Sequence, residues 1–341
     1  MEWETVDPST VPGWDDLVTT HPGCSFFHGD AWSRVLRDSY GAQPRYWVRR
    51  GEYRLRDLLP VMEIKSALAG CRAVSLPFTD ECGPLLDEDT HPRDLLPQIQ
   101  HEGIRRGWRF WEGRGDWRVA PPSVSYWGHQ LQIEREPGLN LVAFDPALRR
   151  AIRKAEKAGL TVAVETNSEA MRTFFALHCQ TRRKHGVPPQ PVEFFERIQQ
   201  HVIALGQGMV VTASLGDRPV AAAVFFILGK RAVYKFGASA SEFLSLRGNN
   251  LVMWEAIREL SRRGAESLDF GRTSKDNEGL RRYKAGFGAA EREIAVCRYD
   301  FRARSFVPGR DRAHGWHNRV FRLLPLPLLR LAGRLLYPHL T

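Results

Sequence analysis

Eight short segments of this chain are rich in apolar residues, some with polar residues interspersed and one, 220–228, continuously apolar, and such segments are typical of β-strands. Glycine-containing turns or loops separate most of them. We therefore predict strands at residues 45–49, 55–64, 72–77, 108–112, 209–215, 220–228, 232–237 and 267–270.

Other segments repeat their apolar residues every three or four positions, as one face of a helix does. In 249–263, Met253, Ile257 and Leu260 share such a face. Asp145 and Pro146 suit the cap and the first turn of another helix. We predict helices at 92–107, 146–158, 168–185, 192–205, 249–263 and 278–285, and loops at 79–90 and 238–248.

The chain also repeats itself. Cys71-Arg72-Ala73-Val74, Arg106-Gly107 and Gly113-Arg114 recur as Lys230-Arg231-Ala232-Val233, Arg263-Gly264 and Gly271-Arg272, at offsets of 157 to 159 residues. Tandem copies of one αβ unit give such constant offsets. We predict a first domain at 1–140, a basic linker helix at 141–160, a second domain at 161–300 and a C-terminal segment at 301–341.

The composition narrows the class of protein. The net charge of +10 favours anionic partners such as nucleic acid, phosphorylated metabolites or an acidic membrane face, although a generally arginine-rich chain would show the same charge. The five cysteines form no CxxC pair, which predicts reduced thiols and no metal site. Residues 1–16 lack the pattern of a secretory signal and no apolar run is long enough to span a bilayer, so we expect a cytoplasmic protein, alternatively peripheral at the inner membrane.

Several charged clusters are candidates for binding an acceptor substrate. Each cluster also has a purely structural explanation. The linker helix could be a solvated connector, the basic residues before Gly186 could complement a helix dipole, and the acidic pair in the loop could belong to an ordinary turn. The candidate residues are Arg149, Arg150 and Arg153 on the linker helix, Arg183 and His185 before Gly186, and Asp80 and Glu81 in the loop at 79–90.

The tail at 320–340 alternates leucines with Arg322, Arg330 and Arg334. This pattern suits a segment lying on an anionic membrane with its arginines at the headgroups. A segment docked on the second domain would explain it equally well.

Three strands, a loop and a helix with a polar start resemble the core of the GNAT acyltransferase fold. In that fold the helix start presents backbone N–H groups to an anion, as helix N-termini do generally. The matching residues here are Arg247, Gly248, Asn249 and Asn250, although the alternating glycines of the GNAT pyrophosphate signature are not cleanly present. The resemblance implies that these residues bind the donor.

Segments 234–239, 269–273 and 279–288 more specifically resemble the FemABX-type peptidyltransferases and the related BioF2-like acyltransferases of proteobacterial exopolysaccharide systems. This resemblance implies an α/β (α+β) fold of two tandem GNAT-like domains, with mixed sheets flanked by helices. The family's aromatic–Lys–x–Gly–Phe motif matches Tyr283, Lys284, Gly286 and Phe287. It implies that Lys284, beside Tyr283, stabilises the developing oxyanion or holds the donor's phosphate end.

Three further residues are candidates in the second copy. Asp269 could act as general base or pair with Arg272. Arg272 matches Arg114 of the first copy, which favours a fold role, but it is also a candidate donor-binding residue. Lys235 has no basic counterpart in the first copy, and we expect it to bind the donor.

Together these observations predict an N-acyltransferase that acts on an amine of a cell-envelope or exopolysaccharide precursor, such as a lipid- or UDP-linked saccharide. The amine would attack the activated donor directly, because no Ser or Cys nucleophile stands out. We expect no tightly bound cofactor and no metal, and a donor that is aminoacyl-tRNA, acyl-CoA or acyl carrier protein. The alternative is a non-catalytic protein of GNAT-like fold that binds a membrane surface or nucleic acid.

Overall fold

The computed structural model describes residues 3–51, 54–309 and 317–340. Part of the predicted C-terminal segment, residues 310–316 and 341, lies outside the described residues. The chain divides into two compact units, which are 1–127 with 293–312 and 337–341, and 128–292 with 313–336. These boundaries differ from those expected at 140, 160 and 300. The chain leaves the first unit within the strand at 124–132 and returns to it within the strand at 290–300.

The described residues form helices at all six predicted segments and five further α-helices that were not predicted, at 14–19, 30–40, 137–143, 317–323 and 326–340. A π-helix at Gln199–Ile203 continues α7, and short 3₁₀ helices lie at Pro8–Thr10, Phe26–His28, Pro92–Leu95 and Ser241–Leu246. The α-helices are α1 (Trp14–Thr19), α2 (Asp30–Tyr40), α3 (Leu96–Arg106), α4 (Pro137–Ala143), α5 (Pro146–Lys157), α6 (Ser168–His185), α7 (Val192–Ile198), α8 (Gly248–Arg262), α9 (Glu278–Ala285), α10 (His317–Leu323) and α11 (Leu326–Leu340).

The described residues form strands at all eight predicted segments and six further strands that were not predicted, at 4–6, 43–44, 124–132, 160–165, 290–300 and 305–306. The segment predicted as a single strand at 55–64 is two strands in different sheets, because Pro60 lies between them and lacks the N–H that would continue a ladder. The strands are β1 (Glu4–Val6), β2 (Gln43–Pro44), β3 (Tyr46–Arg50), β4 (Leu55–Leu59), β5 (Met62–Ser66), β6 (Gly70–Val74), β7 (Phe110–Arg114), β8 (Val124–Gln132), β9 (Leu160–Glu165), β10 (Gly208–Leu215), β11 (Arg218–Leu228), β12 (Arg231–Ser239), β13 (Ser267–Thr273), β14 (Ala290–Asp300) and β15 (Ser305–Phe306).

The first unit contains the strands β2-β5-β6-β7-β14 in that order and a separate small sheet, β1-β3-β4. β5 and β6 are antiparallel, whereas β6 and β7 are parallel and joined through α3. Its core is rich in tryptophan, with Trp47, Trp111 and Trp117 fully buried. A mixed sheet with an apolar core of this size is a stable layer architecture.

The second unit has the strand order β13-β12-β11-β10-β9. β9 to β12 are antiparallel neighbours, and β13 lies parallel to β12 after the crossover through α8. Helix α5 buries Leu148, Ile152 and Ala155 in the apolar core of this unit. The segment expected to be a linker helix is therefore part of the second unit, since its apolar face is packed.

The backbone repeats in the two units where the sequence does. Gly107 and Gly264 both have the left-handed conformation, with φ of +67° and +79°. In both units the N–H of the next residue reaches back to a carbonyl five residues earlier, which is one bond of a Schellman ending. The two bonds are Trp108 to Gly103 and Ala265 to Leu260, each 2.9 Å. The fold is the predicted one, two tandem GNAT-like αβ units.

Two features of the described residues bear on the expected partners. No described helix is both long and apolar enough to cross a membrane. Nor do the described residues contain a group of three or more His, Cys, Asp or Glu side chains placed to hold a metal ion.

Candidate functional site

The second unit contains an open cleft of about 870 Å³. The starts of α5 and α8 and one face of α9 form its walls. The lining residues are Asp145, Ala147, Leu148, Arg150, Ala151, Lys154, Arg247, Asn250, Gly279, Arg282, Tyr283, Ala285 and Gly286.

Helix α5 turns two basic side chains toward the cleft. Asp145 caps the helix, because its Oδ1 accepts a hydrogen bond from the N–H of Ala147 at 2.6 Å. Arg150 and Lys154 are four residues apart and therefore share one face of the helix. Of the predicted acceptor residues on α5, Arg150 lines the cleft, whereas Arg149 and Arg153 do not. Lys154 lines it and was not predicted.

The start of α8 contributes a strained arginine. Arg247 has φ +64°, in the left-handed region that a non-glycine residue rarely adopts. Gly248, the first helical residue, is buried, and a Cβ there would lie 3.1 Å from Val220 Cγ2. Arg247 and Asn250 line the cleft, while Gly248 and Asn249 do not. The predicted helix start is thus only in part a wall of the cleft.

Helix α9 carries the aromatic–Lys–x–Gly–Phe motif. Phe287 is fully buried and packs on Phe144 and Phe270, with ring centroids 5.2 and 5.5 Å apart. The carbonyl of Gly286 accepts a hydrogen bond from the N–H of Asp145 at 2.9 Å, which joins the end of α9 to the start of α5. Tyr283 lines the cleft, and burial, followed by the neighbouring Tyr234, raises its pKa well above the usual value.

The cleft is strongly basic. Arg150, Lys154, Arg247 and Arg282 line it, and among the described residues none of these four side chains has a hydrogen-bond or ion-pair partner. Asp145 is the one carboxylate in the lining, and it is engaged as a helix cap. A concave surface with unpaired cations of one sign concentrates anions.

Lys284 lies beneath this surface rather than in it. Its side chain is 2% exposed, and its Nζ donates to the carbonyl oxygens of Gly271 at 2.7 Å and Arg272 at 3.1 Å. The ammonium is therefore held at the end of β13. The structure brings together the predicted residues Lys284, Asp269 and Arg272 on this part of β13 and α9.

The end of β13 differs between the two copies. In the parallel register, Val74 pairs with Glu112 in the first unit and Val233 pairs with Asp269 in the second. Glu112 and Asp269 are therefore equivalent positions, and they are 157 residues apart in the sequence. The offset of 158 between Arg114 and Arg272 therefore requires one extra residue in the second copy. Gly271, with φ +70°, lies at this place.

Asp269 is already engaged in this bulged segment. Its Oδ1 accepts a hydrogen bond from the N–H of Gly271 at 2.6 Å, and its Oδ2 lies 3.3 Å from a guanidinium nitrogen of Arg292. This ion pair links β13 to β14.

Lys235 occupies a β-bulge. Val224 pairs with Phe236 and Phe225 with Tyr234, so the register between β11 and β12 shifts by one residue at Lys235. Its Nζ lies 5.2 Å from the centre of the Phe236 ring, and the residue does not line the cleft. Bulges of this kind are frequent beside active sites, where they re-aim side chains.

The remaining predicted residues lie elsewhere. Arg183 and His185 are exposed in the last turn of α6, which ends at Gly186. Asp80 and Glu81 belong to the loop of the first unit. None of the four lines the cleft.

A buried histidine carries no signal in the sequence patterns and was not predicted. His129 on β8 is fully buried, and its Nε2 lies 3.2 Å from Oε2 of Glu291, although neither ring nitrogen makes a hydrogen bond of good geometry in the described structure. Burial, and then the charge of Lys284, lowers the pKa of His129, while Glu291 opposes this. Glu291 is held by Arg281, whose hydrogen bonds lower the pKa of that carboxyl.

Two of the four cations of the cleft, Lys154 and Arg282, were also not predicted. Arg282 is part of the motif segment, directly before Tyr283 and Lys284. The signal that could have found it is the helical spacing, because Gly279, Arg282 and Gly286 recur at three and four residues and share one face of α9.

Comparisons with known proteins agree with this fold. Residues 146–285 match the family model described as an acetyltransferase (GNAT) domain. The cleft lies in this segment, since its lining extends only one residue beyond each end. No curated protein matches the chain in sequence.

Several solved structures share the fold at low sequence identity. FemX superposes with a TM-score of 0.69 at 16% identity over 86% of this chain and 96% of its own. A tandem GNAT protein from the clavulanic acid biosynthesis pathway gives 0.54 at 12% over 88% and 98%. The C-terminal domain of a putative lysylphosphatidylglycerol synthetase from Agrobacterium fabrum gives 0.52 at 15% over 83% and 89%. The chain therefore has a tandem GNAT-like fold, and its residues 146–285 are similar to the acetyltransferase (GNAT) domain of the family model.

Proposed function

We propose that this protein is an N-acyltransferase of the FemABX type that binds a phosphate-bearing acyl donor in the cleft of its second unit. The observation that carries the proposal is the set of four unpaired cations around that cleft, opposed by one engaged carboxylate. The acyl or aminoacyl group would pass to an amine of a cell-envelope or exopolysaccharide precursor, such as a lipid- or UDP-linked saccharide.

The donor is proposed from its charge. Aminoacyl-tRNA, acyl-CoA and acyl carrier protein all carry phosphate on the same molecule as the activated acyl group. Arg247 at the start of α8 adds a side-chain charge to the positive end of the helix dipole, and both favour phosphate. The cleft is open, so a donor could enter with only its anionic end held by these groups.

The reaction would be a direct attack. The acceptor nitrogen forms a bond to the donor's carbonyl carbon, the carbonyl oxygen gains negative charge, and the C–S or C–O bond to the leaving group then breaks. The nitrogen's proton passes to a base, for which Asp269 is the candidate. No reactive thiol supports a covalent route, because burial raises the pKa of Cys82 and raises that of Cys179 to about 11.

Lys284 is the candidate for stabilising the oxyanion. Its ammonium is fixed by two main-chain carbonyls at the end of β13. A cation held before the reaction needs no reorganisation when negative charge develops, and removing one such group costs on the order of 10²–10³ in rate. Tyr283 would position the donor from the wall of the cleft.

The acceptor rests on the sequence resemblance rather than on the fold. Neighbours of the same fold carry names as different as clavulanic acid biosynthesis and lysylphosphatidylglycerol synthesis. Asp80 and Glu81 in the first unit are the candidates for binding the acceptor amine. The half-buried Arg149 and the exposed Arg153, Arg183 and His185 are candidates for its anionic groups.

A thermal-shift panel tests the proposal. The purified chain is heated with coenzyme A, an acyl-CoA series, acylated carrier protein, bulk tRNA and a UDP-linked saccharide, each against an uncharged analogue. A specific ligand at a hundredfold excess over its Kd stabilises the folded state by about 2.7 kcal/mol. We expect at least one phosphate-bearing donor to raise the melting temperature. No shift with any donor would contradict the proposal.

A further inference from the structure

The last helix, α11, is fixed to the second unit by one face. Leu329 is fully buried, and Gly333 is so close to residue 189 that a Cβ would lie 2.0 Å from the carbonyl oxygen of Pro189. The guanidinium of Arg330 lies 5.2 Å from the centre of the Phe175 ring on α6. Because only glycine permits this approach, the orientation of the helix about its axis is determined.

The opposite face of α11 is apolar and exposed. Leu328, Leu331 and Leu335 expose 52%, 52% and 63% of their surface. Successive residues of an α-helix are about 100° apart around its axis. The mean direction of these three leucines is therefore roughly 170° from the mean direction of the buried residues 329, 333 and 337, on the opposite side of the helix. The exposed leucines are therefore a consequence of how the helix is docked, and no described part of the chain covers them.

Helix α10, which precedes α11 by two residues, also exposes apolar side chains, with Val320 49% and Leu323 82% exposed. We call the five exposed residues the leucine face; they are Val320, Leu323, Leu328, Leu331 and Leu335. A soluble protein seldom leaves so many large apolar side chains together in water without a partner surface.

Arginines accompany the leucine face. The sequence from 317 to 340 contains four arginines and no Asp or Glu. Arg319 and Arg322 are exposed and have no hydrogen-bond or ion-pair partner among the described residues. Arg334 is 70% exposed and lies 3.5 Å from Glu193. Because Arg330 packs on Phe175 on the docked side, we refer only to Arg319, Arg322 and Arg334 as the flanking arginines.

We propose that the leucine face and the flanking arginines bind an anionic phospholipid surface. The leucines would enter the boundary between headgroups and acyl chains, and the arginines would extend to the lipid phosphates along their aliphatic stems. The absence of any acidic residue in 317–340 favours this occupant over a second copy of the chain, because a second copy would place like charges opposite each other. The inference does not depend on the proposed acyl transfer.

Vesicle co-sedimentation of the full chain tests the proposal. We expect the protein to pellet with vesicles of phosphatidylcholine and phosphatidylglycerol, and much less with phosphatidylcholine alone. The triple variant Leu328→Gln, Leu331→Gln, Leu335→Gln should lose about tenfold or more in partition coefficient, since burying even one leucine is worth about that factor. Equal pelleting of this variant and the parent would overturn the proposal.

A matched variant controls for the general loss of exposed leucines. Leu68, Leu139 and Leu205 are 78%, 55% and 66% exposed and lie outside α10 and α11. Their combined replacement by Gln should leave the partition coefficient unchanged. An equal loss in this control variant would overturn the assignment to the leucine face.

Two further measurements separate the other occupants and guard against misfolding. Sedimentation velocity tests for a second copy of the chain. If the parent self-associates but does not bind vesicles, and the triple leucine variant abolishes the self-association, the leucine face binds a second copy and the membrane proposal is overturned.

In the single variant Leu331→Trp, we expect the tryptophan emission to shift to the blue on adding anionic vesicles. Arg319→Gln with Arg322→Gln should weaken binding and reduce its salt dependence, and unchanged emission or unchanged salt dependence would also contradict the proposal.

Discussion

The ammonium of Lys284 donates a 2.7 Å hydrogen bond to the carbonyl oxygen of Gly271, so the lysine of the aromatic–Lys–x–Gly–Phe motif ties helix α9 to the bulged end of strand β13. A buried cation with main-chain partners supports the fold and is also placed where negative charge could be stabilised. Replacement of this one residue therefore tests both roles.

We predict that Lys284→Met lowers the free energy of unfolding by about 1–3 kcal/mol, because it leaves buried carbonyl oxygens without their donor. If the proposed chemistry is correct, acyl transfer measured well below the melting temperature also falls by about 10² or more. The control is Lys157→Met, since Lys157 is exposed at the end of α5 and does not line the cleft. A folded Lys284→Met protein with full transfer activity would remove the catalytic role, and unchanged stability would contradict the hydrogen bonds.

The repeated helix endings predict equal effects in the two units. Gly107→Ala and Gly264→Ala should each lower the free energy of unfolding by about 1 kcal/mol, because an alanine is strained at positive φ although nothing lies within 4 Å of either Cβ position. Gly138 has the same open space but no positive φ, so Gly138→Ala should leave stability unchanged or raise it. Chemical denaturation measures all three, and a neutral Gly264→Ala would be inconsistent with the shared geometry of the two endings.

Local patterns in the sequence predict much of this fold. Helices α6 and α9 begin and end where the periodicity and the caps indicate, because Asn167 and Asn277 accept hydrogen bonds from the helix starts and Gly186 ends α6. The offsets between the repeated segments likewise predict the two αβ units. Local signals suffice wherever the interactions that define an element lie within a few residues.

The site was less predictable, because it depends on contacts between distant residues. Lys284 and Tyr283 are neighbours in sequence, but one is buried against β13 and the other lines the cleft. The packing of Phe287 and the hydrogen bonds of Lys284 to β13 fix which of them faces which way. Likewise the burial of His129 beside Glu291 joins β8 and β14, and no local pattern indicates such a pairing.

A buried histidine predicts how stability depends on pH. His178 is 4% exposed, and its Nε2 donates a hydrogen bond to Oε1 of Gln190. Burial, followed by the charge of Arg182, lowers the pKa of His178 to about 3. The unfolded chain, with an ordinary histidine pKa near ~6.5, then binds more protons than the folded one between pH 6.5 and about 3. The contribution of His178 to the free energy of unfolding should therefore be complete above pH 6.5. Because the unfolded chain binds more protons, the free energy of unfolding should decrease as the pH falls, by roughly 2–3 kcal/mol at pH 4.5 from this residue.

The variant His178→Gln isolates this contribution. We expect its unfolding free energy, measured in urea from pH 8 to 4.5, to fall less steeply with decreasing pH than that of the parent. His101→Gln is the control, because His101 is exposed on α3. Parallel pH profiles for the parent and His178→Gln would show that His178 is not buried in its neutral form.

The most direct test of the central claim is the affinity of the cleft for an anionic donor. Titration calorimetry with coenzyme A and, separately, with bulk tRNA measures the affinity of the parent and of the triple variant Arg150→Gln, Arg247→Gln, Arg282→Gln. The control is the double variant Lys157→Gln, Arg218→Gln, because these two residues are exposed and do not line the cleft. We predict that the probe bound by the parent loses about tenfold or more in affinity in the triple variant, with a weaker dependence on salt, and that the control keeps the parent's Kd. Equal Kd values in the parent and the triple variant would contradict the account.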